Sequence, residues 1–130
     1  MSALAWVAVV LGAAVGAPLR YAVERRLTGS WPQGTFVVNV AGSAVLGALV
    51  GWASMRDADS SATLVALVGT GFCGSLTTFG GYAAQVLDLA VGGAGQDRPA
   101  RAAVVYATAS VVVCVAVAAL GYLASTAMLA

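Results

Sequence analysis

In the middle of a long apolar run, from about Ala62 to Val91, stands Gly69-Thr70-Gly71-Phe72-Cys73-Gly74-Ser75-Leu76-Thr77-Thr78-Phe79-Gly80-Gly81-Tyr82. This segment holds five glycines, three threonines and a serine. An interior glycine costs a helix about 1 kcal/mol relative to alanine, so the stretch weakens the helix that its flanks would form. The flanks leave little choice of solvent. Of 130 residues, 61% are hydrophobic and 8% charged, more apolar surface than a soluble domain of this length can hide, and a bilayer is the expected surroundings. In hydrocarbon, freed backbone groups have no water to turn to, and irregular backbone survives only where protein or an aqueous cavity satisfies it. A helix interrupted at mid-membrane is therefore expected to mark an ion or substrate site. The plainer alternative is that these glycines only let neighbouring helices approach closely.

Composition excludes several classes of function. The basic residues are six arginines and no lysine, with no cluster dense enough for nucleic acid. Histidine is absent, which removes the commonest metal ligand and general base. No paired carboxylates, nucleophile–base set or metal cluster stands out, so no enzyme is expected. Cys73 and Cys114 both lie in apolar runs and read as small hydrophobes.

Four spans are expected, at about residues 3–22, 34–54, 62–89 (broken near 74–78) and 102–127, making one all-α membrane unit. A signal peptide is the rival reading of the first, but its amino end lacks a basic region. Gly12 and Gly16 give a GxxxG step on which another helix can close. Pro18 would kink the last turn, and Arg20-Tyr21 then reads as an interfacial pair, the arginine snorkelling and the tyrosine anchoring. The second span carries a stripe of Ser43, Gly47 and Gly51, with Ala44 and Ala48, smooth enough for helix packing. Asn39 differs, because an amide is costly in lipid and must face a partner or water; Thr35 lies one turn before it on the same face. Residues 55–61 and 92–101 read as connectors, the second flexible and charged. In the fourth span Tyr106, Ser110 and Cys114 share one face.

Three pieces together carry a resemblance: Gly12-x3-Gly16-Ala17-x2-Arg20-Tyr21, Gly34-Thr35-x3-Asn39-x2-Gly42 and Gly71-Phe72-Cys73-Gly74-x2-Thr77-Thr78-Phe79. In this order, in a four-span chain, the sequence resembles the Fluc/CrcB family of fluoride channels over essentially its whole length. The resemblance implies an antiparallel, dual-topology dimer in a bacterial inner membrane, with two narrow pores that let fluoride leave the cytoplasm passively. It implies a structural sodium ion where the two third-span breaks meet, held by backbone carbonyls that by position belong to Gly74 and Thr77. It implies that Phe79 lines a pore, that Asn39 contacts the ion, and that Tyr106 and Ser110 belong to a polar track. Physical chemistry agrees: fluoride is strongly hydrated, and Asn39, Thr35, Ser110 and Tyr106 can donate hydrogen bonds in place of water, while an aromatic edge is positive. Arg20 is expected in a structural role.

The chain also departs from the family pattern. Where the family continues Thr-Thr-Phe with Ser-Thr-Phe, this chain has Gly80-Gly81-Tyr82, so the second pore aromatic becomes Tyr82 and two hydroxyls are lost. Gln85 stands where an acidic residue is expected. Charge is uneven too. Arg25, Arg26, Arg98 and Arg101 flank one side of the spans and Arg56 the other, a split of four to one that predicts both termini outside. A chain inserting both ways should be nearly unbiased, so the partner is either a second copy or an oppositely oriented homologous subunit, and the chain itself could be the non-conducting or half-active member. A small multidrug-type transporter is the remaining alternative. Such a transporter needs a carboxylate within the first span, and Glu24 lies beyond the expected end of that span.

Overall fold

The computed structural model describes residues 2–29, 31–91 and 100–129. It is all-helical, and four of its helical stretches are long and apolar enough to cross a membrane. The chain is a multi-pass membrane protein. Helix α1 covers Ala3–Arg26, α2 Gln33–Ala53, and α3 Ala58–Leu64. A π-helical stretch, Val65–Cys73, follows, then a single turn, α4, at Gly74–Leu76. Helix α5 covers Phe79–Val91 and α6 Ala100–Leu129. The expected connector at 92–101, with Asp97 and Arg98, lies outside the described residues from 92 to 99.

Two boundaries differ from the sequence expectation for physical reasons. Helix α1 runs on past Ala22 to Arg26, because Arg25 and Arg26 sit in its last turn, where cations favour the negative end of the helix dipole. Glu24 is thereby carried on the helix. The third span starts at Ala58, with Asp57 in extended conformation at the cap and Asp59 in the first turn, where an anion is favoured. Ser60 and Ser61 donate to the Asp57 carbonyl, at 2.8 and 3.3 Å, so these polar residues are absorbed into a helix start.

Small residues decide which helices meet. Helix α1 packs on the π-helical stretch, and α2 packs on α6. At Gly12 a Cβ would overlap the Leu67 carbonyl and come 2.7 Å from Phe72 N; at Gly71 it would come 2.6 Å from the Val9 carbonyl. The GxxxG face is thus a backbone-to-backbone contact. Gly47 and Gly51 act in the same way against Ala118 and Tyr122, and Gly121 against Ala44. Large apolar side chains such as Val10, Val15, Val112 and Leu120 point outward, as expected where the solvent is lipid tails. The interior is narrow, and its best-buried side chains are Tyr106, Val38, Thr35 and Cys73.

Candidate functional site: a polar groove beside Thr77 and Thr78

Between α4 and α5 two residues leave the helix. Thr77 is extended, with φ −78° and ψ 156°, and Phe79 restarts the helix. Local chemistry explains both ends. Thr77 turns its hydroxyl back onto the Cys73 carbonyl at 2.9 Å, and its N–H donates to the same oxygen at 3.0 Å. Thr78 caps the next helix, its Oγ1 accepting the Gly81 N–H at 3.0 Å. Asn39 holds the crossing from α2. Its Oδ1 accepts the Thr78 N–H at 2.8 Å, and its Nδ2 donates to the Thr78 carbonyl at 3.2 Å. An unbroken helix would deliver that N–H to Gly74 O. From α1, Arg20 Nη1 donates to the Thr77 carbonyl at 3.4 Å.

An open groove of about 390 Å³ runs beside this crossing. Of the sequence-derived candidates, Asn39, Gly74, Thr77, Phe79, Tyr82 and Ser110 line it. Thr35, Tyr106 and Arg20 do not. Phe79 is 81% exposed, and a Cβ built at Gly80 would meet nothing within 4 Å, so this edge has no cover among the described residues. From Phe79 the aromatic rings continue inward. Phe79 and Tyr82 have centroids 5.9 Å apart, Tyr82 and Tyr106 also 5.9 Å, and Trp31 meets Tyr106 edge-on at 5.5 Å. Tyr82 donates its hydroxyl to the Ala107 carbonyl at 3.2 Å.

Thr35 and Tyr106, each 1% exposed, lie behind the groove. Thr35 bridges Glu24 and Gln85, and Gln85 accepts from Tyr106. In the sequence Gln85 stands out only as a departure from the family pattern, and Glu24 lies beyond the expected end of the first span. The signal available was Gly34, where a Cβ would come 2.6 Å from Glu24 Cα, so that only a glycine lets α2 start against α1 and bring Thr35 to Glu24. Ser110 is 4% exposed, and its Oγ is the buried side-chain oxygen without a hydrogen-bond partner among the described residues.

This arrangement joins three segments that the sequence motifs had marked separately, one on each of the first three spans. A family profile described as "CrcB-like protein, Camphor Resistance (CrcB)" matches residues 7–122. The chain belongs to the CrcB-like family. Similar CrcB-like proteins include "Fluoride-specific ion channel FluC 1" of Streptomyces avermitilis, 46% identical over 75% of this chain and 80% of that one. "Fluoride-specific ion channel FluC 2" of Rhodococcus jostii is 42% identical over 88% of this chain and 92% of its own. A third, "Fluoride-specific ion channel FluC 2" of Mycobacterium bovis, is 38% identical over 89% and 86%. The match reaches into all four long helices of this CrcB-like chain and covers every residue of the crossing and its groove.

Proposed function

We infer that the chain is a subunit of a passive, fluoride-selective channel, working as an antiparallel dimer with two pores and letting fluoride leave the cytoplasm. The observation that carries this reading is the uncovered groove beside Thr77 and Thr78. Asn39 and Thr78 are half-buried polar groups beside it, and exposing them to lipid would cost free energy that a covering partner removes. The names of the relatives supply the ion.

A pore for fluoride has to replace water's donors one by one. Asn39 commits one N–H of its amide to Thr78 O, and a carboxamide has two, so one remains for an ion in the groove. Ser110 Oγ, buried at the groove wall, has no hydrogen-bond partner among the described residues. Phe79 and Tyr82 can turn positive ring edges towards an anion. None of these groups carries a charge, so an anion is stabilised without being trapped.

A structural sodium ion belongs to this reading, and the donors fit in kind, being hard carbonyl oxygens. Gly74 O is released when the Thr78 N–H turns to Asn39, whereas Thr77 O keeps a lone pair beside the one that faces Arg20. Among the described residues no three His, Cys, Asp or Glu side chains gather, which leaves a cation to the backbone. Gly74 and Thr77 of two copies would hold the ion, whose charge would stiffen the crossing.

The test is fluoride efflux from liposomes that contain only this chain, with chloride as control. Fluoride efflux without chloride efflux is expected for a homodimeric channel. The four-to-one arginine split favours a second reading, in which the partner is an oppositely biased homologous subunit. In that case efflux needs both chains together. Silence from this chain alone and from the pair would leave only a structural role.

A further inference from the structure

Four side chains from four helices form one continuous hydrogen-bonded file. Tyr106 Oη donates to Gln85 Oε1 at 2.9 Å, Gln85 Nε2 donates to Thr35 Oγ1 at 2.7 Å, and Thr35 Oγ1 donates to Glu24 Oε1 at 3.0 Å. The direction of the file follows from one end. A carboxylate only accepts, a hydroxyl has a single proton, and an amide has one accepting and one donating end. Glu24 therefore takes the Thr35 proton. Thr35, with no proton left, must accept from the Gln85 amide nitrogen. That turns the Gln85 oxygen to Tyr106, and Tyr106 must donate to it.

The consequence reaches the groove. Tyr106 is sealed beneath Tyr82 and Trp31, with its proton committed to Gln85 and so directed along the file towards Glu24. One turn further along α6, Ser110 is buried at the groove wall, its hydroxyl without a hydrogen-bond partner among the described residues. We propose that Glu24 is a positioning residue that fixes the direction of this file, holding the Tyr106 proton on Gln85 and away from Ser110, the α6 hydroxyl at the groove wall. The direction of the file rests on geometry alone. Its effect on permeation rests on the fluoride-channel reading above.

Changing Glu24→Gln keeps the shape but supplies a donor. The new amide can donate to Thr35, Thr35 to a flipped Gln85, and Gln85 to Tyr106 Oη, which frees the phenol proton. Glu24→Asp keeps an acceptor-only end, and Thr35→Val cuts the file in the middle.

The ring C–O stretch of tyrosine distinguishes a phenol that donates from one that accepts. It is read by infrared difference spectroscopy on the full chain in liposomes, with Tyr106→Phe as the subtraction that assigns the band. The expected result is a purely donating band in the wild type and in Glu24→Asp, a shift towards the accepting position in Glu24→Gln, and a mixed band in Thr35→Val, where Gln85 is free to take either orientation. A wild-type band at the accepting or a mixed position overturns the proposal, and that reading needs only the wild type and the subtraction partner to fold. So does a band that stays put in Glu24→Gln. A role for Glu24 in packing alone would not move it. In parallel, the effects of Glu24→Gln and Tyr106→Phe on fluoride efflux should depart from additivity by about threefold or more, although two residues separate the pair along the file. Strict additivity would refute the link to permeation. Absence of fluoride efflux from the wild type, alone and with a partner, would count against the channel reading and leave the infrared result standing.

Discussion

Asn39 commits both ends of its amide to the backbone of Thr78, accepting its N–H at 2.8 Å and donating to its carbonyl at 3.2 Å. The crossing from α4 to α5 thereby acquires the hydrogen bonds that helix geometry no longer supplies. One polar side chain in the second span takes over the work of a helical turn in the third.

Replacing Asn39→Asp tests this directly. The carboxylate still accepts the Thr78 N–H but sets an anionic oxygen against the Thr78 carbonyl, and it also repels an anion in the groove. A buried acceptor left without its donor costs about 1–3 kcal/mol. We expect a stability loss of that size in denaturant titration of the purified chain, together with loss of fluoride efflux. Unchanged stability would refute the latch, and wild-type efflux would remove Asn39 from the pathway.

Two glycines should respond in opposite ways. Gly12→Ala drives a methyl into the Leu67 carbonyl across the α1 contact, and overpacking of this kind costs about 1–3 kcal/mol. Gly80→Ala meets nothing within 4 Å and replaces a glycine in the first turn of α5, a gain of less than about 1 kcal/mol for the chain alone. If a second subunit covers this edge, however, Gly80→Ala weakens assembly. Comparing unfolding of the monomer with cross-linking of the dimer separates the two effects.

Much of this was legible in the sequence. The four spans follow from apolar length, and Gly12, Gly16, Gly47 and Gly51 follow from spacing. Asn39 was marked by the cost of an amide in lipid. Its partner was not, because the pairing joins residues 39 apart through a main-chain group that any residue would carry. Glu24 was read outside the span because apolar length alone set the end of the helix, while a dipole-favoured last turn continues it. The π-helical stretch left no signature beyond glycine density, which weakens an α-helix without naming its replacement. Thr35 and Tyr106 were identified as donors, but the direction of their donation depends on Glu24 and Gln85, which come from other helices.

Tyr82→Phe isolates ring from hydroxyl at the aromatic position that departs from the family pattern. The hydroxyl donates to the Ala107 carbonyl at 3.2 Å, and its loss should cost about 0.5–1.5 kcal/mol. The ring, which lines the groove beside Phe79, is kept. Efflux within a factor of about three of wild type is expected, since no more than one modest hydrogen bond is removed. A collapse of efflux in a stable Tyr82→Phe protein would show that the hydroxyl itself takes part.

Orientation gives the last prediction. Neutralising Arg25 and Arg26 to Gln lowers the count on that side from four to two, Arg98 and Arg101, against Arg56 on the other. Lysine and arginine near span ends set orientation, so the inverted population should rise. Ser60→Cys, exposed at the start of α3, reports the orientation through an impermeant thiol reagent applied to intact cells. If the chain pairs with itself and its bias limits assembly, the doubly neutralised protein should give more fluoride efflux per milligram than the wild type. If it needs a differently oriented subunit, labelling changes while efflux from the chain alone stays at background. Labelling that does not change would mean that the arginine split does not set the orientation of this chain.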